Sequence, residues 1–384
     1  MTRKILFLVS EDWYFVSHRL PMARAAKRAG YEVHVATRVD ECGDEITREG
    51  FALHPIRWRR GSLNPVRLLA AVLETRRIYR HVGPDLTHHV AVVPAVVGSL
   101  AALGLPLVRL NALAGLGFAF ASDTAKARAV RPFARNLLGW LLRRPKTAVL
   151  VQNPDDYAVV TALGLRKEAI ALIPGSGVDT DQLIAMPEPA NPFTIAFVGR
   201  LLDDKGVRTL VQAHELLNRR GLAVHTLLAG EADPFNPTSI PERVLDAWRQ
   251  MANLHLLGHI VDIRTVWARA HIAVLPSRRE GLPKSLLEAA ACGRPLIATD
   301  VPGCREVARQ GVNALLIPPD DPEALAKAVE TLMNDCDLRV RFGNASRRIA
   351  VHDYSSTRIG NEITTLYSRL LDGTLPPKLS GHMV

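Results

Sequence analysis

The sequence predicts an α/β protein of two domains, each built on a parallel sheet. At 384 residues the chain exceeds one ordinary core, which makes two domains the starting expectation. Short apolar runs alternate with helical patterns from end to end, the rhythm of βαβ units. Between two such series lies Met-Pro-Glu-Pro-Ala-Asn-Pro, residues 186–192, Pro-rich and polar, which reads as a semi-rigid linker.

The first strand is expected at Lys4–Val9, followed by a loop through Phe15 and a helix over Ser17–Ala29 closed by Gly30. Tyr31–Ala36 is the second strand. The loop after a first strand lies at the carboxyl edge of a parallel sheet, where open α/β folds bind ligands. Here it offers Asp12, Ser17, His18 and Arg19. Ala52–Ile56 is the third strand, leading through the basic run Arg57–Arg60 into a helix over Pro65–Val82. The next strand, Asp85–His89, ends in adjacent histidines. Neighbours on a strand point to opposite faces, so one of His88 and His89 can meet a ligand, and the sequence leaves open which.

Leu105–Leu110 is a further strand, ending in Asn-Ala-Leu-Ala-Gly-Leu-Gly. Gly115 and Gly117 suit either a close backbone approach to a ligand or a plain turn. The stretch 125–146 carries Arg128, Arg131, Phe133, Arg135, Leu137, Leu138, Trp140, Leu141, Leu142, Arg143 and Arg144. Such a basic amphipathic helix with a Trp suits a membrane interface; the alternative is a domain helix with a core side and a solvated Arg side. Thr147–Gln152 and Ile170–Ile173 complete the strands of this half.

The second half opens on the strand Thr194–Val198, then Gly199-Arg200 and, after three more residues, Asp204-Lys205-Gly206. Read blandly, Asp203 or Asp204 caps a helix and Lys205 is a surface charge. Strands follow at Val224–Ala229, at Leu254–Leu257 before Gly258-His259, at Leu296–Thr299 and at Ala314–Pro318. The most informative stretch is His271–Gly293. Ile272–Leu275 is a strand stopped by Pro276-Ser277, a charged loop carries Glu280 and Gly281, and Pro283 opens a helix with a Leu286/Leu287/Ala290/Ala291 stripe. Glu280 then projects from the loop and Glu288 from the second helical turn, with free N–H groups of a helix N-terminus between them, a natural anion site. Two carboxylates flanking an anion site suit a nucleotide sugar, with hydroxyls at both ends and phosphate between. The bland alternative is a pair of helix-start carboxylates facing water.

Composition narrows the classes. Four scattered cysteines give neither metal spacing nor a disulfide framework. No apolar run is long enough to span a bilayer and no signal peptide is read, so a cytosolic protein is expected. The net charge of +10 sits mainly in residues 1–190, with 25 Lys/Arg against 17 Asp/Glu, whereas the remainder has 23 against 21. A basic first half calls for an acidic partner. Nucleic acid is disfavoured, because no zinc module, helix-turn-helix or RNA-binding aromatic motif accompanies the charge. The segment Ser10–Val16 lacks the glycines of a dinucleotide fingerprint, which argues against an oxidoreductase.

The succession strand, Pro-Ser, Glu-Gly-Leu-Pro, helix, Cys-Gly-Arg-Pro, strand resembles the retaining glycosyltransferases of the GT-B fold, family 4. Gly-Arg-x-x-x-x-Lys-Gly at residues 199–206 and Ala-Gly-Leu-Gly-Phe at 114–118 are similar to family segments, the latter to members that build bacterial surface and lipid-linked saccharides. The resemblance spans nearly the whole chain and is most specific over residues 194–320. Many members carry a Gly-Gly pair after the first strand, and this chain does not.

The resemblance implies two doubly wound, Rossmann-like domains facing across a cleft. Residues 1–185, with 356–384 packing back on them, would hold the acceptor, and residues 193–355 the donor. It implies retention of anomeric configuration, with no metal and no cofactor. Arg200 and Lys205 would meet the leaving diphosphate, Glu280 the donor sugar and Glu288 the ribose. Gly199, His259, Gly281, Leu282, Pro283, Lys284 and Ser285 would complete the donor site. His88 or His89 would reach the sugar, and Asp12, His18, Arg19, Gly115 and Gly117 would serve the acceptor. The expected partners are a nucleotide sugar (UDP-linked), a polyprenyl-diphosphate-linked acceptor and an anionic membrane surface at the inner face of the cell membrane. A nucleotide-sugar epimerase of the same architecture, a transferase with a soluble acceptor, or a non-catalytic binding protein are the rival readings.

Overall fold

The computed structural model describes residues 2–58, 65–113, 135–190, 192–234 and 236–373. The chain forms two compact units. One joins Met1–Ser176 to Ser356–Val384, and the other is Gly177–Ser355. The change of unit thus falls at Ser176/Gly177, ahead of the Pro-rich stretch. Val178 donates its N–H to Tyr354 O at 2.8 Å, and Met186 donates to Cys292 O at 3.1 Å, which ties this segment into the second unit.

The first unit is a seven-stranded sheet in the order β3-β2-β1-β4-β5-β6-β7. Its strands are β1 Lys4–Glu11, β2 Glu32–Arg38, β3 Ala52–Pro55, β4 Leu86–Val90, β5 Val108–Ala112, β6 Thr147–Val151 and β7 Ile170–Leu172. Every pairing is parallel. The central strands are buried on both faces, as their unbroken apolar runs require. One face is covered by the helices Leu20–Arg28 and Ser356–Leu371. There Met22, Ala26, Ile359, Ile363 and Tyr367 pack on Phe7, Val35 and Leu110.

Two differences from expectation have physical causes. The loop after β1 is absent. The strand runs to Glu11 and the helix Asp12–His18 begins at once, because the Asp12 carboxylate accepts the N–H groups of Trp13, Asp40 and Cys42. The helix breaks at Arg19 and restarts as Leu20–Arg28, whose second residue, Pro21, has no N–H to continue the first ladder. The strand expected at Leu105 starts instead at Val108, after a turn through Leu105-Pro106.

The second unit is a six-stranded parallel sheet, β10-β9-β8-β11-β12-β13. The strands are β8 Thr194–Val198, β9 His225–Ala229, β10 Leu254–Gly258, β11 Ile272–Leu275, β12 Leu296–Thr299 and β13 Ala314–Ile317. Its core is one continuous cluster, with Leu210, Ala213 and Leu217 of the helix Val207–Arg219 on one side and Leu286, Leu287 and Ala290 of the helix Lys284–Ala291 among the rest. In both sheets the strand order reverses beside the first strand, between β1 and β4 and between β8 and β11. These switch points are where the carboxyl ends of parallel strands leave a crevice.

Candidate active site

In the second unit the charged residues singled out by sequence sit on the segments that leave β8 and β11, on either side of the switch point. Lys205 closes a single 3-10 turn, Asp203–Lys205, and Gly206 follows with φ 70°. A Cβ at Gly206 would collide with the carbonyl oxygen of Pro276, so glycine alone lets the β8 segment lie against the β11 loop. That approach brings Lys205 Nζ to 2.6 Å from Glu280 Oε1, and Ser277 Oγ donates to the same oxygen at 2.7 Å. Ser277 is itself fixed, because its carbonyl accepts from the Thr299 hydroxyl.

Gly303 presses on the same loop from the segment after β12. A Cβ there would strike the carbonyl oxygens of Glu280 and Gly281. The Glu280 carboxylate is therefore held by the Ser277 hydroxyl and the Lys205 amine at one oxygen, and its backbone lies against a close glycine.

Arg200 follows β8 directly and pairs with Asp233 Oδ2 at 2.6 Å. The helix Lys284–Ala291 starts one residue later than expected, with buried Pro283 as its N-cap. Within it Lys284 Nζ stands 3.3 Å from Glu288 Oε1. Burial pushes the Glu288 carboxyl above its ordinary range, and Lys284 pulls the other way. Leu282 packs on the core, Gly281 and Ser285 are half-buried, Gly199 follows β8 with φ 155°, and His259 stands exposed beyond the edge strand β10. Glu280 and Glu288 thus end in separate ion pairs. Sequence reasoning missed Asp233 and Ser277. Ser277 had a visible signal, as the hydroxyl that stops β11 three residues before Glu280. Asp233 had none beyond its nearness to the end of β9.

The first unit places its candidates differently. Asp12 is fully buried, and its carboxylate accepts three N–H groups, two of them from the 40–42 turn that it clamps. Arg19 is also buried, with Nη1 donating to His18 O and to Ser176 Oγ at 2.8 Å. His18 is half-buried, stacked on Tyr14 with ring centroids 4.3 Å apart and 2.5 Å from Ser17 Oγ.

The adjacent histidines find partners on different helices, and both are 0% exposed among the described residues. His88 Nδ1 meets the Tyr367 hydroxyl at 2.7 Å, and its Nε2 has no partner among the described residues. His89 lies between Asn111 Oδ1 at 2.8 Å and the Tyr79 hydroxyl at 2.9 Å. Burial lowers both imidazoles well below their ordinary value, that of His89 to about 4. β4 is a central strand covered on both faces, and this buries residues that its amphiphilic lettering had offered to solvent. Sequence reasoning also passed over Ala91, which follows β4 with φ 77° at the switch point of this sheet and caps the helix Val92–Ala101. A non-glycine residue in that conformation stores strain.

Gly115 and Gly117 lie outside the described residues, as do Arg59, Arg60 and residues 125–134 with Arg128, Arg131 and Phe133. Of the amphipathic stretch, residues 135–142 are helical. Leu138, Leu141 and Leu142 are core residues, whereas Trp140 is 40% exposed under the Arg144 guanidinium. Among the described residues no cluster of His, Cys, Asp or Glu could hold a metal ion, and no helix is long and apolar enough to cross a membrane.

A family model described as glycosyl transferases group 1 matches residues 192–335, and one described as glycosyl transferase 4-like matches residues 4–153. Among similar chains, EpsD of Bacillus subtilis is 27% identical over 399 residues, covering 97% of this chain and 98% of its own length. The N,N'-diacetylbacillosaminyl-diphospho-undecaprenol alpha-1,3-N-acetylgalactosaminyltransferase of Campylobacter jejuni is 25% identical, with 92% and 95% covered. Among solved structures, sucrose-phosphate synthase from Thermosynechococcus elongatus superposes with a TM-score of 0.82 at 21% identity, over 97% of this chain and all of that one. Anabaena Alr3699/HepE in complex with UDP and glucose gives 0.76 at 20%, over 95% and 99%. Two parallel, reversed-order sheets and family models matching each half lead to one conclusion: the chain belongs to the GT-B glycosyltransferases of the group 1, family 4-like type.

Proposed function

We propose that the enzyme transfers a sugar from a UDP-linked donor, with retention and without a metal ion, to a polyprenyl-diphosphate-linked saccharide in cell-surface polysaccharide assembly. It works peripherally at the inner face of the membrane. The observation that carries the reading is the cluster of Arg200, Lys205, Ser277 and Glu280 about the β8/β11 switch point, beside the N-terminus of the helix Lys284–Ala291. In the transfer the bond from the anomeric carbon to the β-phosphate oxygen breaks and its electron pair leaves with the diphosphate. The acceptor oxygen forms the new bond to that carbon and gives up its proton to the departing phosphate oxygen. Arg200, Lys205 and the first helical N–H groups carry the charge that builds on the leaving phosphate. Glu280 accepts from donor-sugar hydroxyls and Glu288 from the ribose.

UDP complexes of a structural neighbour support the donor class. The Campylobacter relative, named for a diphospho-undecaprenol acceptor, supports the acceptor class. The basic first unit takes the acceptor and supplies the membrane attraction. Incubation with a panel of nucleotide sugars, with and without an undecaprenyl-diphosphate-linked sugar, should release UDP only when both are present. Epimerised donor with no acceptor consumed would favour the epimerase reading.

A further inference from the structure

At the amino ends of β5 and β6, the edge opposite the carboxyl ends, a groove of about 490 Å³ opens among Leu103, Leu105, Pro106, Arg109, Arg144 and Lys146. Its chemistry is unusual for a surface recess. Arg109 points from the second residue of a central strand and is 8% exposed. Its Nη2 donates to Pro145 O, and its Nε has no partner. The Arg144 Nε is buried and unpartnered as well. No carboxylate pairs with either guanidinium or with Lys146 among the described residues. Burial and the nearby Arg144 both push Arg109 below its ordinary pKa, the mark of a cation short of a counter-charge.

An uncompensated buried arginine is costly, and here buried Arg109 lies beside half-buried Arg144, whose Nε is also without a partner, so an anion would relieve both. Lys146 reinforces this. It holds φ 56°, a strained conformation for a long side chain, at the lip of the groove.

We propose that this groove binds a phosphate group, held in a fork by Arg109 and Arg144 with Lys146 at the rim. Guanidinium forks match phosphate oxygens two at a time. The half-exposed Leu103 and Leu105 and the exposed Pro106 form an apolar flank beside the cations. Exposed Trp140 lies against Arg144, 3.8 Å from its guanidinium carbon to the ring centroid. That flank suits a phosphate carried on an apolar molecule. The sources of such a group are a lipid headgroup and a free phosphate-bearing molecule. The site is separate from the donor loops and stands whether or not the acceptor reading does.

The test titrates inorganic phosphate into the full chain, follows heat and melting temperature, and compares Arg144→Glu and Lys146→Asn. Asn tolerates the left-handed backbone at 146. Phosphate should stabilise the wild type by mass action, with affinity at least tenfold weaker in Arg144→Glu. The donor loops are intact in every protein, so only the part of the response lost in the variants belongs to the groove. Arg109→Met serves as a second variant: it should melt no lower than the wild type without phosphate, yet lose the phosphate response.

The second arm is co-sedimentation with vesicles of equal parts phosphatidylcholine and phosphatidylglycerol, against phosphatidylcholine alone. Phosphate binding together with sedimentation that Arg144→Glu abolishes assigns the site to a lipid headgroup. Phosphate binding without sedimentation assigns it to a free phosphate. Equal phosphate responses in the wild type and all variants, or none in the wild type, overturn the proposal.

Discussion

The two switch points form a natural comparison. In the second unit the flanking residues are acidic and basic side chains, and glycine contacts pin the segments of Lys205 and Glu280; the side chains of Arg200, Lys205, Glu288 and Glu280 are 41%, 25%, 13% and 8% exposed. In the first unit, the residues in the same topological place, Asp12, Arg19, His88 and His89, are buried and bonded to other parts of their own unit. The same sheet reversal thus gathers charged side chains in one unit and holds the sheet together in the other. A crevice position is an opportunity for ligand contact, and local packing decides whether it is used.

The largest expected effect tests the second switch point. Arg200→Ala or Lys205→Ala should lower turnover by about a hundred- to a thousandfold while the protein stays folded, as expected for losing one preorganised donor to a leaving anion. Turnover that vanishes with chelator and ignores both substitutions would break the comparison at its stronger side.

Next is the acid response of the first unit. The folded pKa of His89 is about 4 against 6.5 in the unfolded chain, so the unfolded state binds more protons between those values. Stability contributed by the neutral buried ring is complete above pH 6.5 and is lost as pH falls toward 4, by about 3 kcal/mol. Denaturant titrations from pH 7 to 4 should show the slope, and His89→Gln should reduce it, leaving the part that His88 carries. An unchanged slope in that variant would mean another group carries the transition.

A smaller effect separates the two carboxylates. Glu288→Ala should weaken UDP binding about tenfold, on the order of 1.4 kcal/mol, whereas Glu280→Ala should mainly lower turnover. Calorimetry with UDP decides, and equal affinity losses reject the division. Smallest is Tyr367→Phe, which removes the His88 hydrogen bond. About 1 kcal/mol of stability should go, with UDP affinity untouched. A change in that affinity would give the first-unit switch point a role that its burial argues against.

Much of this was readable in the chain. The strands Thr194–Val198, Ile272–Leu275 and Leu296–Thr299 and the helices Pro65–Val82 and Ser356–Leu371 fall where the apolar periodicity sets them. The loops after β8 and β11 were legible because their chemistry is local: Ser277 and Glu280 are three residues apart, and Gly206 adjoins Lys205. What stayed hidden depends on partners far along the chain. Asp12 looks like an exposed loop carboxylate until Asp40 and Cys42 arrive to bind it. His88 looks available until Tyr367, 279 residues later, covers it.

That distant partner has a consequence for how the molecule is made. The second unit is one continuous stretch, and the first is completed only by Ser356–Leu371. During synthesis the opening strands emerge first, yet the apolar face around Phe7 and Leu110 waits for Ile359, Ile363 and Tyr367 until the whole second unit has been translated. At about 5–20 residues per second that wait is on the order of tens of seconds. The earliest-made sheet is therefore the last to close, and its apolar face stays exposed to aggregation while the second unit is already folding.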